Sequence, residues 1–508
     1  MQPAGVQQPA VVNTQAGLLA GRCLGDVHEY LGVPYAAPPV GPLRWRRPQP
    51  VLPWAGVRSA HTVGPSACQA LMPEGFGPWT HEFVTQGQVS EDCLYLNIWA
   101  PARADPAPCP VLVWIHGGAF MQGAGSIPIY NGRALAEHGV VVVTINYRLG
   151  ALGFFQHPDL ALEASGPPNG NFGLMDQLAA LAWVQQNIAA FGGDPQCVTL
   201  AGQSAGAVSV HALLGSPQAA GLFHRAIAMS GPPALGLVRT LEDGQALAAQ
   251  LRASDGPSTL ADLRALPAQS LLTQASALPW FGPVIDGELV PAWPPGSAAD
   301  KPLHDVPVLV GQTADELSGL DPRFASDAPD DLQRLLRAYY GEQDSPAWQA
   351  RYAQRCGADV ARTYRAVCTD RWLLALWAWA KARQGGCQSA AFVYHFEHVM
   401  PGPDAAVYGS FHTSDVPYAF MTLDAAPERA HAPTDHAVSQ ALAEHWVRFM
   451  RTGNPNPPGA ADWPALDAQA PVMWAISSQP GARPMFAPAW LQAFAAHVQA
   501  GGPLAILP

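Results

Sequence analysis

The stretch V-T-L-A-G-Q-S-A-G-A-V at residues 198–208 constrains the fold more than any other part of the chain. A short β-branched and apolar run leads to G-Q-S-A-G at 202–206, and small residues that can begin a helix follow. This pattern predicts a strand, a sharp turn and a helix, with Ser204 at the apex in a strained backbone conformation. Its hydroxyl would then stand clear of the backbone, beside a helix N-terminus.

The pentapeptide alone is weak support for this interpretation. With 48 glycines in 508 residues, chance supplies a G-x-S-x-G in roughly one such chain in five. The alternative is a serine in a glycine-rich loop, held by its own backbone. The rest of the chain has to decide between the two.

Other segments predict an α/β fold. Continuous apolar runs at 111–115 and 140–146 are typical of strands that are covered on both faces. A periodic pattern at 177–190 predicts a helix. This alternation predicts a large, mostly parallel central sheet flanked by helices. Alternating residues at 11–14 and 27–33 predict a small N-terminal antiparallel sheet.

Composition excludes two classes of partner. Charged residues make up 13% of the chain, the net charge is −12, and no basic cluster could follow a phosphate backbone, so we predict no nucleic-acid partner. No apolar run approaches the ~18 residues that span a bilayer, so we predict no membrane span.

The N-terminal M-Q-P-A-G-V-Q-Q is not a signal peptide, although it is compatible with a mature end left after cleavage.

Groups suited to acyl transfer follow several predicted strands. The N–H groups of H-G-G-A at 116–119 are candidate oxyanion donors, with a simple Gly-Gly turn as the alternative. Asp315 and Glu316 are candidate acids, and Asp315 could also cap a helix. His412 lies on a loop downstream of the acid, and its position makes it the favoured base among 16 histidines.

Eleven motifs together resemble the type-B carboxylesterase family, the group of para-nitrobenzyl esterase and the cholinesterases. They span nearly the whole chain: G-V-P-Y-A-A-P-P-V-G-P-L-R-W (32–45), S-E-D-C-L-Y-L-N-I-W (90–99), W-I-H-G-G-A-F (114–120), N-Y-R-L-G (146–150), G-N-F-G-L-M-D-Q (170–177), F-G-G-D-P (191–195), A-G-Q-S-A-G-A (201–207), P-V-I-D-G-E (283–288), D-E (315–316), H-T-S-D-V-P-Y-A-F (412–420) and T-G-N-P-N (452–456).

The resemblance implies one α/β-hydrolase domain over residues 1–508. It implies Ser204 as the nucleophile, Glu316 as the acid and His412 as the base of a serine carboxylesterase that works through an acyl-enzyme. The implied oxyanion donors are the N–H groups of Gly118, Ala119 and Ala205. No cofactor and no metal are implied. The expected substrates are broad or bulky neutral esters; the alternatives are a specialised hydrolase of a xenobiotic or toxin ester, and a non-catalytic adhesion-type member.

Two positions depart from the family pattern. Cholinesterases carry Glu immediately before the nucleophile, where this chain has Gln203. Without that anion we expect choline esters to be disfavoured. Many relatives carry Glu three residues after the catalytic histidine, where this chain has Asp415. We expect Asp415 to support the triad without touching the substrate.

The resemblance also suggests how the substrate pocket is built. Trp280 and Phe281 resemble acyl-pocket positions of the family, where bulky rings would limit acyl size. The loop at 68–93, with Phe76 and Trp79, is expected to cover the entrance. The expected partner is a small-molecule ester, and the expected assembly is a monomer or homodimer.

Cys68 and Cys93 match paired cysteines of the family, which implies a disulfide, with two free core thiols as the alternative. A disulfide is typical of oxidising compartments. The expected location is therefore secreted or periplasmic, with the cytoplasm as the alternative.

Overall fold

The protein is described here by a computed structural model that covers residues 10–102, 107–163, 170–252, 258–295 and 303–506. The N-terminal octapeptide considered above lies outside these residues. The strands are β1 (Ala10–Thr14), β2 (Gly17–Leu24), β3 (Val27–Pro34), β4 (Val57–Ser59), β5 (Ser66–Ala67), β6 (Gly75–Phe76), β7 (Trp79–Thr80), β8 (Val89–Ser90), β9 (Tyr95–Pro101), β10 (Cys109–Ile115), β11 (Val141–Ile145), β12 (Gly193–Gln203), β13 (Arg225–Met229), β14 (Val308–Thr313), β15 (Ala391–Phe396), β16 (Val472–Ile476) and β17 (Gly481–Pro484).

The helices flank the sheet or connect its strands. They are α1 (Arg133–Glu137), α2 (Gly150–Gly153), α3 (Asp159–Glu163), α4 (Phe172–Asn187), α5 (Ala205–Leu214), α6 (Leu241–Ala248), α7 (Leu260–Ala265), α8 (Ala268–Ala275), α9 (Pro329–Cys356), α10 (Val360–Gln384), α11 (Ala405–Tyr408), α12 (Val416–Phe420), α13 (Pro433–Thr452) and α14 (Pro488–Gln499). Helix α9 is kinked at Gly341, where the backbone leaves the helical region. No helix in the described ranges is long and apolar enough to cross a membrane.

One large sheet organises the chain, in the order β1-β2-β3-β9-β11-β10-β12-β13-β14-β15-β16-β17, with β4 beside β2. The strands from β11 to β16 pair in parallel, which confirms the predicted α/β-hydrolase architecture. The predicted N-terminal antiparallel strands are β1 to β3, and β3 pairs with β9, so they extend the large sheet.

Strand β10 explains why the central strands are continuous apolar runs. Val111, Val113 and Ile115 pack into the core that contains α4, α5, α9 and α10. Leu112 and Trp114, which alternate with them, pack into a second core with α1, α12 and α13. Both faces of the sheet are therefore buried, and every position of the strand has to be apolar.

The carboxyl ends of the parallel strands meet at one edge of the sheet. Strand β12 lies between β10 and β13, and β14 and β15 follow. A short parallel bridge between Asp315 and Phe411 joins the loop after β14 to the loop that follows β15. The sheet thus brings the segments after β10, β12, β14 and β15 to one place, as expected for ligand sites in open α/β sheets.

Candidate active site

Ser204 lies at the sharp turn between β12 and α5, as predicted. Its backbone has φ 57° and ψ −123°, which is a strained conformation for a residue with a side chain. The N–H of Ser204 donates to the Met229 carbonyl at 2.9 Å, and its own carbonyl accepts from Val208 at 3.0 Å to begin the helix. A Cβ atom at Gly206 would overlap the Ile115 carbonyl, so only glycine permits this close approach of helix and strand.

Glu316 and His412 form a buried pair at the same edge of the sheet. His412 Nδ1 is hydrogen-bonded to Glu316 Oε2, and both side chains are almost fully buried. The other carboxylate oxygen accepts from the N–H of Thr313 at 2.8 Å, which fixes its orientation. An ionised carboxylate on Nδ1 requires a proton there, so the lone pair of a neutral His412 lies on Nε2.

Asp315 points away from the imidazole. Its Oδ2 accepts from the N–H of Ser410 at 3.0 Å, and Arg365 lies 4.0 Å from its other oxygen. It caps no helix, because residues 314–320 form turns and the bridge to Phe411. The two adjacent carboxylates therefore have separate surroundings, and only Glu316 contacts His412.

The loop after β10 presents backbone N–H groups next to Ser204. Gly118, Ala119 and Phe120 all have positive φ, at 103°, 53° and 61°. A Cβ atom at Gly118 would overlap the Gln122 carbonyl, so this position requires glycine. In the described part of the chain, the N–H groups of Gly118 and Ala119 donate to no backbone carbonyl. Together with the N–H of Ala205, the first residue of α5, they are candidate oxyanion donors.

A cavity of about 160 Å³ lies beside Ser204 and His412 and opens to solvent. Ser204, His412 and Gly118 line its floor, and its walls are mostly apolar, including Phe83, Ile127, Tyr130 and Leu320. Among the described residues that line it, none is a carboxylate, a lysine or an arginine. The cavity thus offers apolar surface and backbone donors without a fixed charge.

The two aromatic residues that were expected over the entrance border the cavity. Phe76 and Trp79, on the hairpin of β6 and β7, both line the cavity, and their rings lie 5.1 Å apart. The indole N–H of Trp79 donates to the His412 carbonyl at 2.9 Å, so this hairpin is tied to the loop that carries His412.

The predicted placement of Trp280 and Phe281 in the pocket is wrong. Neither residue lines the cavity beside Ser204. Phe281 is buried in the core, and Trp280 packs under the Arg239 guanidinium, 4.1 Å from its ring centre. This cation–π contact and the burial of Phe281 hold both rings elsewhere. Leu320, which was not predicted, also lines the cavity; it lies four residues after Glu316, so the motif at 315–316 could have pointed to it.

The predicted Cys68–Cys93 disulfide is not formed. Both residues are free thiols. They line one small cavity, and burial raises the pKa of Cys68 to about 11 and that of Cys93 well above its ordinary value. Arg44 and Glu91 form an ion pair at 2.6 Å that ties down the same segment. The alternative of two free core thiols, left open by the sequence, is the correct one.

Asp415 lies buried near His412 at the start of α12. Burial raises its pKa to about 7; the hydroxyl of Tyr394, which donates to it at 2.7 Å, lowers the pKa, and the nearby Glu316 carboxylate raises it. Asp415 does not line the cavity, consistent with a supporting position behind the pair of Glu316 and His412.

Among the described residues, one group of side chains has metal-ligand atoms within reach of one another: His81, Glu82 and Glu428. Glu82 already accepts from the Arg429 guanidinium at 2.6 Å and from the Thr80 hydroxyl at 2.6 Å. A carboxylate paired in this way is compensated without a cation, so the group fits an ion-pair network better than a metal site.

The strained serine, the buried His–Glu pair and the free backbone donors define an α/β-hydrolase of the ester-cleaving type. The carboxylesterase family is matched over residues 8–487. The chain is 34% identical over 492 residues to fumonisin B1 esterase of Sphingopyxis macrogoltabida, covering 92% of this chain and 87% of that protein. It is 34% identical over 477 residues to para-nitrobenzyl esterase of Bacillus subtilis, covering 90% and 92%.

Solved structures of esterases resemble this chain over nearly its whole length. A para-nitrobenzyl esterase structure superposes with a TM-score of 0.79 at 32% identity, over 95% of this chain and 99% of that one. A carboxylesterase of Geobacillus stearothermophilus gives 0.80 at 33% identity, over 95% and 99%. The chain therefore belongs to the carboxylesterase family, and it is a carboxylic ester hydrolase.

Proposed function

We propose that this chain hydrolyses neutral carboxylic esters through an acyl-enzyme on Ser204. The observation that carries the proposal is a cavity, with no carboxylate, lysine or arginine among the described residues that line it, beside the strained Ser204, His412 and the Gly118 loop, with Glu316 bonded to His412 from behind. These are the parts that acyl transfer requires. With all three triad residues present, a non-catalytic adhesion role has no support.

In the first half of the reaction, His412 Nε2 takes the proton from the Ser204 hydroxyl while Oγ attacks the ester carbonyl. The N–H groups of Gly118, Ala119 and Ala205 donate to the oxyanion of the tetrahedral intermediate. Collapse of that intermediate breaks the bond to the alcohol oxygen, which takes the proton from His412. Water then repeats the sequence on the acyl-enzyme. Glu316 stabilises the imidazolium in both halves.

The mechanism is tested by Ser204→Ala, with Ser318→Ala as the matched control. Ser318 lies near the site on the Glu316 loop, and within the described structure its buried hydroxyl makes no hydrogen bond. We expect Ser204→Ala to lower kcat for p-nitrophenyl acetate by about 10⁶-fold, while Ser318→Ala stays within a few-fold of the wild type. Turnover by Ser204→Ala above a few per cent, with contamination excluded, would remove Ser204 from the mechanism.

The lining of the cavity supports uncharged substrates. Gln203 beside the nucleophile is neutral, so a cationic alcohol gains only cation–π contact with rings such as Trp79, on the order of 1–2 kcal/mol, and has to shed its hydration. Met72, Phe76 and Leu320 line the cavity and are each at least 40% exposed, so its mouth can take a bulky apolar group. A specialised xenobiotic or toxin ester remains the second candidate, since fumonisin B1 esterase and phenmedipham hydrolase are both 34% identical to this chain.

Three esters matched in size, one neutral, one cationic and one carboxylated, test the substrate class. We expect kcat/KM for the neutral ester to exceed that of the cationic ester by at least tenfold. A preference for the cationic ester would mean that a carboxylate reaches the cavity, contrary to the proposal.

We propose that the chain acts as a monomer or homodimer, which sedimentation equilibrium distinguishes from larger assemblies. The expectation of export loses its main support, because Cys68 and Cys93 are free thiols.

A further inference from the structure

Among the described residues, the base nitrogen of His412 is hydrogen-bonded to the Gln203 side chain and not to the Ser204 hydroxyl. Gln203 Nε2 lies 3.0 Å from His412 Nε2, and the Gln203 side chain is 2% exposed. The contact joins the last residue of β12 to a loop more than 200 positions away in the chain. It involves the same nitrogen that takes the serine proton in the mechanism proposed above.

The direction of this hydrogen bond follows from the other side of the ring. Because Glu316 is bonded to Nδ1, the neutral ring carries its proton there, and Nε2 can only accept. The group opposite has to donate, and the NH₂ of the Gln203 amide does so. The amide oxygen lies on the side of Gly117, where an added Cβ atom would come within 2.8 Å of it.

We infer that Gln203 is a positioning residue that holds His412 neutral and aimed at the cavity in the resting enzyme, which rests on the proposed function of His412 as the base. An imidazolium would turn an N–H toward the same NH₂ group, and two donors cannot bond to each other, so protonation of the ring requires the amide to leave its resting orientation. The contact therefore favours the neutral ring, which is the form that accepts a proton. When the Ser204 hydroxyl donates to Nε2, it replaces the amide.

The groups around His412 differ in whether they favour the neutral ring or the imidazolium. Of the titratable groups described near the ring, Glu316 contacts it, and Asp415 lies buried close enough to interact electrostatically. Both, where ionised, favour the imidazolium. The Trp372 ring, 5.9 Å away, carries no charge. Gln203 is thus the side chain whose hydrogen bond opposes protonation of the base.

The test is the acid limb of the pH profile of kcat/KM for a neutral p-nitrophenyl ester. Gln203→Met keeps the length of the side chain and removes the donor, and we expect the limb to move to higher pH by about half a unit, as the loss of one hydrogen bond implies. Gln203→Glu places an anion on the imidazolium, and we expect a larger upward shift of about one unit. A merely structural role would lower activity without moving the limb.

Gln122→Glu is the matched control, because Gln122 lines the same cavity and has no hydrogen bond to His412. We expect a smaller shift from it than from Gln203→Glu. A limb in Gln203→Met at or below that of the wild type would overturn the inference, and so would an equal shift from Gln122→Glu. If Gln203→Glu does not fold, Gln203→Met decides alone.

The inference and the proposed function fail in different ways. Activity in Ser204→Ala would refute the serine mechanism itself. An inactive Ser204→Ala combined with an unmoved acid limb in Gln203→Met would leave the mechanism intact and refute only the role of Gln203.

Discussion

Replacing Asp415 by asparagine should change how the stability of the protein depends on pH. In the folded chain, burial raises the pKa of Asp415 to about 7, against 3.8 in a model compound. The Tyr394 hydroxyl donates to this carboxyl at 2.7 Å, and the side-chain oxygen of an asparagine at the same position can accept that bond. The substitution therefore removes one titration while keeping the volume and the hydrogen bond.

The sign follows from which state holds the proton. Between pH 3.8 and 7 the folded protein keeps Asp415 protonated and the unfolded chain does not, so the free energy of unfolding falls as the pH rises. At about 1.36 kcal/mol per pKa unit, the whole shift lowers the free energy of unfolding by about 4 kcal/mol above pH 7. About 1.6 kcal/mol of this is already lost at pH 5. Between pH 5 and pH 8, the free energy of unfolding of Asp415→Asn should thus rise by about 3 kcal/mol relative to that of the wild type.

Thermal unfolding followed by circular dichroism measures this difference. With an unfolding entropy of about 2.1 cal/mol/K per residue, 508 residues give about 1.1 kcal/mol/K. The Tm of Asp415→Asn minus that of the wild type should therefore rise by about 3 °C from pH 5 to pH 8. The control is Asp462→Asn, an exposed position whose Tm difference should stay constant. A Tm difference for Asp415→Asn that is unchanged or smaller at pH 8 would refute this reasoning.

Two further predictions each compare a pair of substitutions. Glu316→Gln should lower kcat by about 10⁴-fold, because it disturbs the tautomer of the base. Asp315→Asn should lower kcat far less, because the Asp315 carboxylate faces Ser410 and not the imidazole. Equal losses of kcat would contradict the assignment of the acid. Trp79→Ala should lower kcat/KM for p-nitrophenyl butyrate at least tenfold, since it removes a cavity wall and the hydrogen bond to the His412 loop. Trp280→Ala should leave kcat/KM within twofold of the wild type. The reverse order would mean that the acyl group lies near Trp280.

The turn and the central strands were predictable because their causes are local. Glycines at 202 and 206 permit a close approach that any side chain would block, and β10 is apolar at every position because its two faces meet two cores. The candidate triad followed from family motifs at 201–207, 315–316 and 412–420, and the structure brings Glu316 and His412 into contact. The extent of the single domain, residues 1–508, stays a prediction.

Side-chain surroundings were not predictable, because they depend on distant segments. Trp280 was expected in the pocket, but Arg239, which lies 41 positions earlier, draws its ring away. The spacing of Cys68 and Cys93 said nothing about whether their sulfurs would bond. The contact of Gln203 with His412 spans 209 positions and depends on how the carboxyl edge of the sheet is assembled. Local patterns carry no information on such pairs.

The most direct test of the account is to trap the nucleophile. The protein is treated with a neutral p-nitrophenyl phosphonate, digested, and the labelled peptide is sequenced by mass spectrometry. We expect one equivalent of label on Ser204, loss of esterase activity in proportion to labelling, and no labelling of Ser204→Ala. A label on another residue that accompanies the loss of activity, or full activity after Ser204 is labelled, would contradict the central claim.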